Sequence, residues 1–168
     1  MKLSSNMQDK KVKMRKYLRV IELILLCGYV FYILYLTLLC RTPRTFYQYN
    51  YKLFWSYQYF FDQDHPQGRQ IILNILFFVP FGFLLSAVLN SFHIKSKKKI
   101  FLITIVAACL LSATIEFLQL ILKLGFSEFD DVMDNTAGAA IGALIYLPIS
   151  AGREKRRKNL ECRKEVEK

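Results

Sequence analysis

The sequence predicts an all-α integral membrane protein, a four-transmembrane-helix bundle with an aromatic-rich interfacial outer loop. Three observations carry this expectation. Apolar residues make up 54% of the 168 positions and gather in four long runs, at about 18–39, 71–92, 100–122 and 132–149. Each run meets or approaches the roughly 20 residues that cross a bilayer core. Lysines and arginines border the runs, and the few polar residues within them repeat at helical spacing.

Composition narrows the function classes. A formal net charge of +11 would suggest nucleic acid in a soluble protein, but here the basic residues flank apolar helices, where they orient the chain and attract anionic lipid. Membrane lipids are therefore expected partners and nucleic acid is not. The chain divides into a basic N-terminus at 1–17, a membrane domain at 18–149 and a basic tail at 150–168, which leaves no room for a soluble domain. Cys27 and Cys109 lie inside apolar runs, Cys40 at the end of one and Cys162 in the basic tail, so they read as small hydrophobes rather than a disulfide framework.

In chain order, six basic residues precede the first apolar run and Arg19 lies at its start; the run is too long for a signal-peptide core and lacks a small-x-small cleavage site, so it should remain as an anchor. The segment 41–70 is rich in Tyr, Phe and Trp and contains Pro43, Pro66 and Gly68. Aromatics with an apolar body and a polar tip favour the headgroup level, so Phe46 to Phe61 should lie along the membrane surface as an amphipathic segment or re-entrant cap. The alternative is an aromatic platform for a sugar or drug. The second helix carries Asn74 one turn in and the kink-permitting pair Pro80 and Gly82. A lysine-rich loop at 93–99 leads to the third helix. The turn at 123–131 sets Lys123 against Glu128, Asp130 and Asp131, and the fourth helix should end at Pro148.

Nineteen of the 24 lysines and arginines fall in the N-terminus, the 93–99 loop and the tail; five fall in the other two loops. Both termini are therefore expected in the cytoplasm of a membrane protein that crosses several times. With that orientation Arg41, Arg44, Asn74, Glu116, Gln119, Asp131 and Asn135 all lie toward the outer leaflet. Glu116 and Gln119 share a helix face, as do Asp131, Asn135, Gly138 and Gly142. Carboxylates and amides are costly in lipid, so these residues predict a buried interface or an outward-opening ligand site. The small residues at 138–142 would let the fourth helix approach a neighbour closely and bring Asn135 to Glu116.

Several readings of the cluster stay open. Its members could be interhelical hydrogen-bond partners with Arg41 as counter-ion and nothing more. Asp131 and Asp134 suit the first turn of a helix, where acids satisfy free N–H groups. Adjacent Asp130 and Asp131 point apart and make a poor acid–base pair. Glu116 and Asp131 offer hard oxygen ligands but too few for a metal site, so neither metal nor cofactor is assigned. His65 and His93 fall on opposite sides of the membrane, and no repeat or phosphate-binding glycine loop is present.

The segments NILFFVPFGFLL at 74–85, IE with Gln119 at 115–119, and FDDVMDNTAGAAIG at 129–142 resemble the VanZ-like family of small bacterial membrane proteins. The resemblance runs from Arg41 to Gly142. The family tends to carry Asn-x-x-Pro-Phe after an arginine; here Asn50 to Phe54 reads NYKLF, with Leu53 in the proline's place, which bears on the shape of the outer loop. The resemblance implies a cell-envelope role associated with teicoplanin resistance, and implies that Arg41, Asn74, Glu116, Gln119, Asp131 and Asn135 are shared polar positions. The leading expectation is an envelope protein that engages a lipid-linked anionic cell-wall precursor or the lipoglycopeptide itself, with Arg41 and Arg44 holding a phosphate or carboxylate. The alternative is a membrane-embedded enzyme acting on a polyprenyl-phosphate-type or other lipid-linked envelope precursor, with Glu116 as base and Asp131 helping to bind a divalent ion. A transporter would need a polar pathway to the inner leaflet, where the third and fourth helices offer only Thr104 and Ser112.

Overall fold

The computed structural model describes residues 2–62, 64–92, 94 and 96–166, with side chains placed from residue 13 onward except at 157, 158, 161 and 164–166. His93 and Lys95, which entered the sidedness argument, lie outside the described residues. Four helices are long and apolar enough to cross a membrane, with candidate spans Lys13–Leu39, Pro66–Ser91, Lys97–Ile121 and Phe129–Arg156.

Helix α1 (Lys2–Leu34) runs into a π-helical turn at Tyr35–Leu39. Helix α2 (Pro66–Ser91) opens on a proline, whose missing N–H and fixed φ suit a first helical position. Pro80 removes one backbone bond without ending this helix. Helix α3 (Lys97–Ile121) starts after Ser96, whose hydroxyl accepts the Lys99 amide at 3.4 Å. Helix α4 (Phe129–Val166) carries Asp130 and Asp131 in its first turn.

Pro148 does not end the fourth helix. It costs α4 a single backbone bond, and the lysines, arginines and glutamates that follow are good helix formers, so the basic tail continues the helix to Val166. The aromatic segment, expected as an amphipathic segment or re-entrant cap, contains regular structure of its own. It forms strand β1 (Gln48–Asn50) and a 3-10 turn at Ser56–Tyr59, and β1 pairs in parallel with β2 (Phe126–Glu128), Gln48 opposite Phe126 and Asn50 opposite Glu128. A short sheet thus joins the α1–α2 connection to the α3–α4 turn, at what is termed here the loop end of the bundle.

The tightest packing in the bundle lies between α2 and α4. A Cβ at Gly82 would collide with the Ala139 carbonyl, and one at Gly138 or Gly142 with the Ile75 or Val79 carbonyl. The small residues of α4 therefore serve close approach to α2, not to α3. Phe78, Phe81, Ala108, Ile115 and Ala139 form the core together with Ile33 of α1. Helix α1 is more peripheral: it leans on α2 through Tyr29, whose hydroxyl donates to the Phe77 carbonyl at 2.7 Å, and leaves Leu25, Phe31 and Tyr32 exposed as a lipid-facing surface should.

Candidate functional site

At the loop end, five carboxyl side chains are buried within a short stretch of structure: Glu116, Glu128, Asp130, Asp131 and Asp134. Buried carboxyls need donors, and the fold supplies a different set to each. Asp130 is wholly buried and ties down the aromatic segment: Oδ1 accepts the Phe54 amide at 2.8 Å, and Oδ2 accepts the Ser56 amide at 3.0 Å and its hydroxyl at 2.6 Å. Phe54 has φ 59°, a left-handed conformation that costs a bulky residue free energy, and the Asp130 bonds hold it there. The strained residue ends the NYKLF segment in which Leu53 replaces the expected proline. Asp134, one helical turn on, accepts from the Tyr57 hydroxyl. Burial first, and this bond second, hold the Tyr57 phenol above its ordinary pKa, so it remains a donor.

Glu116 and Asp131 are held by other elements. Glu116 Oε2 accepts the Glu128 amide at 3.0 Å and Ser127 also bonds to it, so α3 grips strand β2 directly. Asp131 accepts from Gln70 Nε2 at 3.0 Å. Asn74 is directed at Asp131, although its Nδ2 does not reach regular hydrogen-bond geometry. Glu128 has one buried oxygen, Oε1, that no donor reaches in regular geometry; the Trp55 indole N–H is directed at this carboxyl without reaching regular geometry either. Burial, followed by the charges of Asp131, Glu116 and Asp130, pushes the Glu128 carboxyl up to about 8.

Arg41 supplies positive charge to this end. Its guanidinium rests against Gly125, where any side chain would displace it, within electrostatic reach of Glu116 and Asp131. The π turn at the end of α1 helps place it. That turn carries the Thr37 carbonyl, which accepts Gln119 Nε2 at 3.1 Å, while the Thr37 hydroxyl bonds back to Ile33. The arginine is exposed on one side and faces the carboxyls on the other.

The structure therefore gathers Arg41, Asn74, Glu116, Gln119 and Asp131 at one end of the bundle and separates two of the expected residues from them. Asn135 bonds to the Ser112 hydroxyl at 2.8 Å rather than to Glu116, because α4 packs its glycine face on α2 and leaves the amide facing α3 one turn deeper. Arg44 is exposed, donates to Gln48 and adds its amide to the Lys123 carbonyl at 2.8 Å, so it braces the strand. Gln70, Tyr57, Ser56, Ser127 and Glu128 complete the cluster. Asp130 and Asp131 do point apart, as adjacent helical residues must. Among the described residues no group of three His, Cys, Asp or Glu side chains is arranged to hold a metal ion.

The sequence matches the VanZ/LLP1 family over residues 18–150, which is most of its length. The chain belongs to the VanZ/LLP1 family. Among characterised proteins it is similar to protein VanZ of Enterococcus faecium, at 33% identity over 78 residues, 46% of this chain and 44% of that protein. The chain thus spans less than half the length of that relative. No solved structure matches it. For this VanZ/LLP1 member the matched region includes α2, α3, the paired strands and much of α1 and α4, and so every residue of the polar cluster.

Away from the loop end the VanZ/LLP1 fold is drier. Ser86 and Thr104, both wholly buried, pair with each other at 3.2 Å, and Ala108, Ala139 and Ala143 are fully enclosed. Nearer the tail, Asn90 bonds to Tyr146 at 3.1 Å and Ser91 to Glu22, polar partners that the sequence reading did not find on this side.

Proposed function

We propose that this protein acts in the cell envelope to alter susceptibility to teicoplanin-type glycopeptides, and that it does so by engaging an anionic lipid-linked precursor or the lipoglycopeptide at the loop end. The observation that carries this reading is Arg41. An exposed guanidinium packed against Gly125, with the Glu116 and Asp131 carboxyls within electrostatic reach behind it, can pair with a phosphate or carboxylate on its open side. Family membership supplies the envelope context, and the basic residues around the termini support an outward loop end.

The test is drug susceptibility in a teicoplanin-susceptible host expressing the protein. Arg41→Gln and Glu116→Gln should each abolish tolerance while leaving membrane expression and melting temperature near normal, because glutamine at 116 keeps the side-chain volume and an acceptor for the Glu128 amide, and Arg41 is exposed. The double variant should be little worse than either single, as expected for two members of one network. Full tolerance in both single variants would sink the charged-site reading. Collapse of expression in both would reduce the cluster to a structural role.

A further inference from the structure

A cavity at the loop end lies beside the carboxyl cluster rather than in it. It is a groove of about 440 Å³ between strand β1 and the end of α3, lined by Tyr47, Tyr49, Tyr51, Leu120 and Ile121. The three tyrosines alternate along the chain, so the pleat turns them to one face, and the rings of Tyr49 and Tyr51 stack at 5.2 Å. Ile121 also belongs to an exposed row on α3 with Leu110 and Phe117, so the groove continues onto the lipid-facing side of the bundle.

A cation stands beside the groove. The Lys123 ammonium lies 4.6 Å from the centre of the Tyr47 ring. Lys123 has φ 56°, the left-handed conformation that ends many helices and in which glycine is far less strained than any other residue. A lysine kept at such a position points to a use for its side chain, since the turn itself would be served better by glycine.

We propose that this groove is a binding site for an anionic membrane lipid, with an acyl chain along the tyrosine stripe and the acidic headgroup at Lys123. The inference rests on the proposed function's reading of the loop end as the ligand-binding face, and adds beside the Arg41 site a separate one for a membrane lipid. An apolar wall continuous with the lipid face selects a chain over a free phosphate, and the ammonium selects an acidic headgroup over a zwitterionic one. Tyrosines used only as an interfacial belt would anchor the loop without discriminating between headgroups.

The test uses the full chain with p-benzoylphenylalanine in place of Tyr49, reconstituted into vesicles of equal phosphatidylglycerol and phosphatidylcholine with identical acyl chains. Irradiation followed by mass spectrometry counts the two adducts. Phosphatidylglycerol adducts should exceed phosphatidylcholine adducts by about fivefold or more, an excess of ~1 kcal/mol in favour of the acidic headgroup. The same probe at Leu110 should give a ratio near one. Lys123→Gly, which relieves the backbone, should bring the Tyr49 ratio to one while keeping or raising the melting temperature. The probe at Tyr51 repeats the measurement should the Tyr49 site not express. A ratio near one at both tyrosine positions, or a preference unchanged by Lys123→Gly, would overturn the proposal. Arg41→Gln should leave the ratio intact, so the lipid site and the drug-tolerance reading fail on separate measurements.

Discussion

Glu128 shows how a single residue ties the loop end to pH. Its carboxyl sits on the short strand, 3% exposed, surrounded by Asp131, Glu116 and Asp130, and titrates near 8 instead of 4.5. The folded state therefore favours the protonated form. Its contribution to stability is complete below about 4.5 and is lost as pH rises through about 8. The melting temperature of the purified protein should fall between pH 6 and pH 9 by more than that of Glu128→Gln, and the variant should overtake the wild type at the alkaline end. Parallel curves for the two proteins would show that Glu128 is ionised and compensated in the fold. Asp130 takes the opposite part: with three donors in regular geometry it accounts for the order of residues 54–56, which local propensity alone does not specify.

At the scale of the elements, the glycines of α4 set the depth of the bundle. Leucine at Gly138 or Gly142 would drive a side chain into the Ile75 or Val79 carbonyl, a backbone clash that repacking cannot relieve, so a loss of about 3 kcal/mol or more is expected together with function. Gly28, with nothing near its missing Cβ, should accept leucine at little cost. A Gly142→Leu protein that keeps its melting temperature but loses function would instead mark close backbone approach to a ligand. The helices themselves were legible in the sequence, because apolar length and flanking charge follow directly from bilayer thickness. Their partners were less so. Nothing in GAAIG states whether α2 or α3 receives it, and Asn135 was assigned to the wrong neighbour on that account. The β1–β2 pair was hidden for a different reason: three-residue strands 78 positions apart in register carry too little pattern to predict, and the bonds of Glu116 to Glu128 and of Asp130 to Phe54 that support them are long-range. Pro148 misled because one lost hydrogen bond weighs less than the helix-forming tail beyond it.

The whole molecule is polarised along its long axis. One end carries the carboxyl cluster, Arg41, the tyrosine groove and the paired strands; the other carries the lysine-rich connection and the helical basic extension of α4. Between them the packed middle, with Ala108, Ala139 and Ala143 fully enclosed, suits a protein working on one face of the membrane better than one passing a solute through it. The proposals for drug tolerance and for lipid binding share the requirement that the loop end face the cell exterior, and that requirement is open to direct measurement. In a background with all four cysteines replaced, single cysteines at Gln58, exposed beside the aromatic turn, and at Lys98, exposed in the first turn of α3, are treated in intact cells with a membrane-impermeant thiol reagent. The account predicts labelling at Gln58→Cys and none at Lys98→Cys until the cells are opened. Labelling at Lys98→Cys but not at Gln58→Cys in intact cells would place the carboxyl cluster, Arg41 and the tyrosine groove in the cytoplasm and contradict the proposed function at its root.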